Sequence, residues 1–367
     1  MSSPERRPSL QTLAKALGLS TATVSNAYNR PDVVTSKTRD RVLAKAQELG
    51  YSGPNPAGRQ LRRGRTEAIG LIFTDEMSFA FQDQASVGFL QGLAIACANA
   101  SRNLLLLPAG PPHAGLGLGS FASAAVDGFV IYSVPDKNPY LQSALDRNIP
   151  AVVVDQPRHT PADWVGINDR EAARNVARHL ADLGHRRIGV ITSRLGTARH
   201  NGRVDQGRWK DAGYVVQRER LWGLVEGFSD VGIGADDLVI EERYEATEPA
   251  GASALNALLG RDSDLTAVCA LADVLALGAM DAALHRGLTI PNDLSITGFD
   301  DVPAARAAGL TTVSQPLIEK GRVAGEMLIR RIDAADRATK GAEQRLLTTS
   351  LIVRNSTSLA LRSAPAL

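Results

Sequence analysis

The sequence predicts an α-helical helix-turn-helix headpiece joined to an α/β core of two doubly wound parallel-sheet subdomains. Three observations predict it. The first fifty residues hold three short segments with helical apolar spacing and a glycine between the first two. From Glu67 onward, short apolar runs alternate with helical stretches, the texture of parallel sheets covered on both faces. About seven such runs spread over roughly 300 residues, which two layered subdomains accommodate better than one.

Taking the elements in order, Ser9 can cap a first helix whose apolar positions are Leu10, Leu13, Ala14 and Leu17, the i, i+3, i+4, i+7 set. Gly18 ends it and Leu19 anchors the turn. Ser20 can cap a second helix from Thr21 to about Tyr28, with Val24, Ala27 and Tyr28 inward, and Pro31 forbids continuation. A third helix starts at Thr35 or Ser36, buries Val42, Leu43, Ala46 and Leu49, and stops at Gly50. In "STATVSNAYNRP" (20–31) the outward face of the second helix carries hydroxyls, a methyl and a carboxamide, and no titratable group that catalysis would need. Such a face suits contact with another molecule's polar edges. Residues 51–66, "YSGPNPAGRQLRRGRT", form a linker of two prolines and three glycines, in which Pro56 suits a helix's first turn and "AGRQLRR" spans about two turns.

In the core, "AIGLIF", "NLLLLP", "VDGFVIYS", "PAVVVDQ", "RRIGVIT", "TAVCAL" and "LSITGFD" read as buried strands. Helices are expected at 85–100, 170–183 and 274–286 among others. The polar, glycine-rich "GTARHNGRVDQGRWKDAG" (196–213) reads as a long surface loop.

Charge is unevenly shared. Residues 1–66 carry twelve Lys/Arg against four Asp/Glu, whereas the remaining chain carries 29 against 35. A basic head on a mildly acidic body points to a polyanionic partner for the head alone. Apolar content of 44% and charged content of 22% are those of an ordinary globular protein. No apolar run reaches the ~18 residues of a membrane span. The start, "MSSPERRPSL", has no apolar stretch behind its arginines, so no secretory signal is expected. Cys97 and Cys269, in apolar surroundings, predict buried free thiols of a cytoplasmic protein. Enzyme motifs are missing: there is no HExxH, CxxC or GxSxG, the histidines do not cluster at ligand spacing, and "GLGLGS" lacks the third glycine of a dinucleotide loop. No catalytic residue, metal or cofactor is therefore expected.

"SLQTLAKALGLSTATVSNAYNRPDVVTSKTRDRVLAKAQELGY", "PNPAGRQLRRGRTEAIGLI", "LADLGHRRIGVI", "GFDDVPAA", "LTTVSQP" and "SLIVRNST" resemble, in order and over essentially the whole chain, the lactose-repressor/galactose-repressor (LacI/GalR) family of bacterial transcription regulators. The resemblance implies a DNA-binding domain over 1–53, a hinge helix over 54–66 and a periplasmic-binding-protein-like core over 67–367. That core divides into an N-subdomain (about 67–184 and 314–346) and a C-subdomain (about 185–313 and 347–367), with crossings near 183–185, 313–315 and 346–348. By family position, Thr21, Ala22 and Asn26 read bases, while Ser9, Ser20, Thr23, Ser25, Asn29 and Thr38 contact phosphates. Asn26 stands where an arginine is frequent, which favours adenine over guanine. Leu61, set among polar and cationic neighbours, matches a leucine that wedges into the minor groove; Gly58 replaces the more usual alanine and weakens that short helix. Arg220, Asp273 and Asp300, with Asp75, Phe79 and Phe81 from the other subdomain, are the implied effector contacts; Ala272 stands where asparagine is usual. The implied partners are an approximately palindromic double-stranded operator, a sugar or sugar-derived effector and a second copy of the chain, a homodimer with a tetramer possible. A periplasmic-type sugar-binding protein shares the core but would want a signal peptide and have no use for the head.

Overall fold

A computed structural model describes residues 8–53, 65–73, 77–108, 123–334 and 341–360. Its contacts divide the chain after Thr66 into two units.

The first unit is three helices, α1 (Leu10–Leu17), α2 (Thr21–Asn29) and α3 (Ser36–Glu48), with a 3₁₀ turn at Pro31–Val33. Each N-terminus is closed by a hydroxyl. Ser9, Ser20 and Thr35 accept from the backbone N–H three residues on, meeting one of the donors that a helix start leaves unpaired. Gly18, at φ +65°, adopts the left-handed conformation that ends α1. Leu13, Ala14, Val24, Ala27, Val42 and Ala46 form the core, ringed by Leu10, Leu17, Leu19, Tyr28, Val34, Leu49 and Tyr51. Leu43, expected inside, is 38% exposed. Val42 and Ala46 already fill the one stripe that α3 turns inward, and Leu43 lies a hundred degrees round from Val42.

The second unit holds two sheets. One is wholly parallel, in the order β12-β5-β4-β3-β1-β2. Its strands are β1 (Ala68–Phe73), β2 (Asn103–Pro108), β3 (Gly128–Tyr132), β4 (Ala151–Val154), β5 (Asp163–Ile167) and β12 (Gln344–Leu347). Residue Ile69 pairs in register with Leu104 on one side and Gly128 on the other. The second sheet runs β13-β11-β10-β9-β6-β8-β7. Its strands are β6 (Ile188–Ser193), β7 (Gly202–Arg203), β8 (Val239–Arg243), β9 (Ala267–Ala270), β10 (Ser295–Asp300), β11 (Thr311–Ser314) and β13 (Ser350–Ile352). The five inner strands are parallel, and β7 and β13 are antiparallel edges. Near-continuous apolar runs in β1, β3, β4, β6 and β9 follow from burial on both faces.

Three helix pairs cover these sheets: Gln84–Asn99 with Leu317–Asp333, Asp169–Asp182 with Val215–Ser229, and Glu248–Arg261 with Asp273–His285. Glycines let each pair approach closely. A Cβ on Gly92 would lie 1.8 Å from the Ile318 carbonyl oxygen, and one on Gly278 would lie 1.8 Å from that of Glu248.

The chain passes between the sheets three times. The first passage lies between β5 and the helix Asp169–Asp182, not at 183–185. That helix packs Ala173, Val176, Ala177 and Leu180 into the core of the second sheet, because its apolar stripe matches the helix Val215–Ser229 there. The second passage follows β11 and the third lies between β12 and β13.

The segment read as a surface loop contains β7 and the helix Gln206–Lys210, and its Trp209 is fully buried. Trp209 meets Trp222 edge-on, with centroids 4.8 Å apart. Its polar neighbours concealed this anchor from a reading based on composition.

Candidate functional site

The first candidate surface is the outward side of α2. Val24 and Ala27 bury its inner stripe, so Thr21 and Ala22 are exposed on its first turn and Asn26 lies half-buried one turn further. Ser20 Oγ accepts from Thr23 N (3.0 Å) and lies 2.8 Å from Thr23 Oγ1. Ser9 Oγ and Thr35 Oγ1 repeat the pattern with Thr12 and Thr38. Asn29 Nδ2 donates to Ser25 Oγ (3.1 Å), while its buried Oδ1 has no partner among the described residues. Lys15, Arg30, Lys37, Arg39 and Arg41 are exposed on the same small unit. Polar side chains on a positive background, with helix N-termini that favour anions, can bind a phosphate backbone. Leu61 and the segment 54–64 lie outside the described residues.

The second candidate is a cavity of about 660 Å³ in the second unit, where the carboxyl ends of both sheets meet. Phe73 ends β1, Tyr132 and Ser133 end β3, and Asp155 follows β4. From the other sheet come Ser193 and Arg194 at β6, Tyr244 after β8, Leu271 after β9, Asp300 at β10 and Gln315 after β11. Doubly wound sheets place ligands in this position, and the volume suits a small molecule. Three of the strand-end residues, Ser133 (φ 52°), Asp155 (φ 63°) and Asp300 (φ 129°), hold non-glycine backbone at positive φ, a strain that persists where the surroundings impose it and that gathers at functional sites.

Arg220, on the helix Val215–Ser229, is fixed on three sides. Its Nε donates to Asp169 Oδ1 (2.8 Å), its Nη1 donates to the Leu271 carbonyl (2.7 Å), and its guanidinium lies 3.5 Å from the centre of the Phe299 ring. Asp300 Oδ1 accepts from Gln315 Nε2, and Gln315 Oε1 accepts from Lys320 Nζ (2.6 Å). Lys320 Nζ, only 2% exposed, also donates to Asp155 Oδ1 at 2.7 Å. A buried relay thus runs from Asp300 on one sheet to Asp155 on the other. Burial holds the Asp300 carboxyl well above the usual carboxylate range, against the pull of Arg220 and with help from Asp273. Burial likewise raises Asp169. It pushes the Tyr132 phenol well up, aided by the charges of Asp155, Asp83 and Asp300. Tyr132 is stacked on Phe89 at 4.2 Å.

Of the sequence-predicted effector residues, Arg220 and Asp300 come together in this cavity. Asp273 does not line it. Its carboxylate is wholly buried and accepts from Thr312 Oγ1 (2.6 Å) and Val302 N (2.9 Å), so it ties the ends of β10 and β11 together. As first residue of its helix, it points at those strands rather than across the gap. Phe81 is 59% exposed and does not line the cavity either, since the helix Met77–Gln82 turns Ala80 inward instead. The Phe79 side chain and all of Asp75 lie outside the described residues. Sequence reasoning missed Asp155, Tyr132, Gln315 and Lys320. The first two follow strand runs that had been recognised, and a polar residue closing an apolar strand was the available signal.

Comparison with known proteins matches both parts of the chain to described domains. Residues 9–55 match the profile of bacterial regulatory proteins of the lacI family. Residues 177–357 match a periplasmic binding protein-like domain. An HTH-type transcriptional regulator of Mycobacterium tuberculosis is 42% identical over 329 residues, covering 89% of this chain and 92% of that one. The crystal structure of a LacI-family transcriptional regulator from Corynebacterium glutamicum superposes with a TM-score of 0.72 at 35% identity, over 97% of this chain and all of that one. The complex of the transcriptional regulator CelR with cellobiose superposes at 0.68 with 27% identity, over 95% of this chain and all of that one. The chain belongs to the LacI family of bacterial transcriptional regulators.

Proposed function

We propose that this regulator acts as a repressor, reading an approximately palindromic operator with α2 and releasing or tightening on it when a hydroxylated effector, a sugar or sugar derivative, fills the cavity between its sheets. The observation that carries this reading is the convergence of Arg220, Asp300 and Asp155 from both sheets on one cavity. Cellobiose in the CelR complex supports a carbohydrate class for the effector. Thr21, Ala22 and Asn26 read base edges, the hydroxyls of Ser9, Ser20, Thr23, Ser25 and Thr38 and the amide of Asn29 set register on phosphates, and Leu61 in the hinge wedges the minor groove. A homodimer presents two such heads to the two half-sites.

Contacts across the gap support a route by which an effector acts. Gln156 Oε1, from the first sheet's side, accepts from Val216 N at 2.9 Å and so caps a helix of the second. Gln84 Oε1 accepts from Ala304 N at 3.2 Å on the opposite flank. A ligand that bridges both walls favours this closed arrangement, and a ligand changes an equilibrium only by its difference in affinity for the two states. The expected coupling is ~1–3 kcal/mol, or about 5–150-fold in operator affinity. Operator selection from random DNA, followed by titration with and without sugars that raise the melting temperature, tests the reading. Featureless selected sites would remove the DNA half, and a response to sugar retained by Asp300→Ala would remove that residue from the effector site.

A further inference from the structure

The second passage between the sheets is short, and a buried charge lies across it. β11 ends at Ser314 in the second sheet, and the helix Leu317–Asp333, which packs on the first sheet, follows after Gln315 and Pro316. Lys320, one turn into that helix, sends its ammonium back over the passage to Gln315 Oε1 (2.6 Å). The same ammonium reaches Asp155 Oδ1 at 2.7 Å. Lys320 and Gln315 are buried and Asp155 is nearly so, which leaves water little room to compete for these bonds. An ammonium can only donate. It therefore fixes the Gln315 amide with its oxygen towards position 320 and its Nε2 on Asp300 Oδ1. A hydrocarbon at position 320 would leave that amide free to turn over.

Neither anchor of this ammonium can drift with it. Gly321 rests directly on the Phe89 carbonyl of the partner helix, so the first turn of Leu317–Asp333 is held at its backbone. Asp155 N donates to Val165 O (2.9 Å), and Asp155 O accepts from Trp164 Nε1 (3.0 Å). The next residue, Gln156, is the one that caps Val216 across the gap. The turn after β4 thus carries the Lys320 contact and, beside it, a bridge to the second sheet.

We infer that Lys320 is a positioning residue: its ammonium fixes the angle at which the two sheets meet over the cavity, by joining the second passage to the turn that bridges the gap. A change of that angle strains the Lys320–Gln315 bond, which lies across the point of bending. Hydrogen bonds tolerate only about half an ångström of stretch, and bonds to a charged group are the stronger kind. The effect of Lys320 on DNA rests on the proposed coupling of cavity to operator.

Amide hydrogen exchange of the full-length protein without ligand tests this. Val216 N is a donor that a helix start leaves without an internal partner, and Gln156 protects it from the other side of the gap. Lys320→Met keeps an apolar stem and removes the ammonium, and exchange at Val216 should quicken about tenfold or more. Thr312→Val, which removes a buried bond to Asp273 within the second sheet, should lower stability and leave Val216 as in the wild type. Should Lys320→Met fail to fold for want of a countercharge on Asp155, Asp155→Asn together with Lys320→Met removes both charges. Asparagine accepts the positive φ of position 155, and Val216 should again exchange faster than in the wild type. Wild-type exchange at Val216 in whichever variant folds would overturn the role of Lys320. So would equal acceleration by Thr312→Val, the mark of general loosening. Titration with an operator selected from random DNA separates the two readings. A shift of about fivefold or more in unliganded operator affinity supports both. Faster exchange at unchanged operator affinity supports the positioning role and overturns the coupling of the cleft to DNA.

Discussion

Arg220 and Asp169 are both nearly buried, 2.8 Å apart, so each supplies the countercharge that offsets the cost of burying the other. Truncating one member of such a pair strands the other, at a cost of about 3–5 kcal/mol. Arg220→Ala should therefore lower the melting temperature as well as silence the effector, and Asp169→Leu combined with Arg220→Met should recover much of the stability without the response. Chemical denaturation of the single and double variants separates the two effects. Asp300 behaves differently, because burial raises its pKa. A carboxyl whose folded pKa exceeds its unfolded value near 3.9 costs stability as pH rises from that value through the folded pKa. Asp300→Asn, which keeps an acceptor for Gln315, should melt higher than the parent at neutral pH, with the difference fading towards pH 4. A constant difference from pH 4 to 8 would refute the raised pKa. On α2, Asn26→Ala should reduce discrimination at one base pair in each half-site by ~1–3 kcal/mol, as quantitative binding to single-base operator variants would show.

Among elements, the helix pairs set the sharpest demands. A Cβ on Gly321 would lie 2.0 Å from the Phe89 carbonyl oxygen, and one on Gly251 would lie 2.1 Å from that of Leu275. Backbone cannot yield as a side-chain tip does, so Gly321→Ala and Gly251→Ala should each destabilise by roughly 1–3 kcal/mol or more, read from denaturant midpoints. Unchanged midpoints would mean that the helices are not in contact at these glycines. The seven strands recognised in the sequence were the apolar ones, since a run such as "AVVV" (151–154) has no alternative to burial. The strand "VIEER" (239–243) escaped notice because it buries two glutamates, Glu241 and Glu242. Their burial is tolerable through Arg243 at the strand's own end and through Arg208 and Arg261, which arrive from elsewhere in the chain. Arg220 and Asp300 were legible through their motifs. The relay through Gln315 and Lys320 was not, for no spacing rule links position 155 to position 320. Asp273 and Phe81 were misplaced for a related reason: a strand end or a helix narrows where a residue sits, but packing decides which way it points.

For the whole molecule, the closed cleft should be a ligand-dependent population. Gln156→Ala removes one bridge and leaves Val216 N without its partner, so it should weaken effector binding and demand more ligand for the same change in operator affinity. Parallel titrations of wild type and variant would show the displaced midpoint, and coincident curves would deny the bridge any part in closure. The three passages between the sheets carry a further consequence. Two bodies joined at a single point can swivel and twist in many directions, whereas three adjacent tethers leave little beyond opening and shutting about one axis. Chemically different ligands must then act along the same coordinate, differing in how far they drive it. An inducer can become an antagonist through a small change of size, with no new mechanism, and new effectors can evolve by altering the lining of the cavity while the machinery that answers it stays as it is.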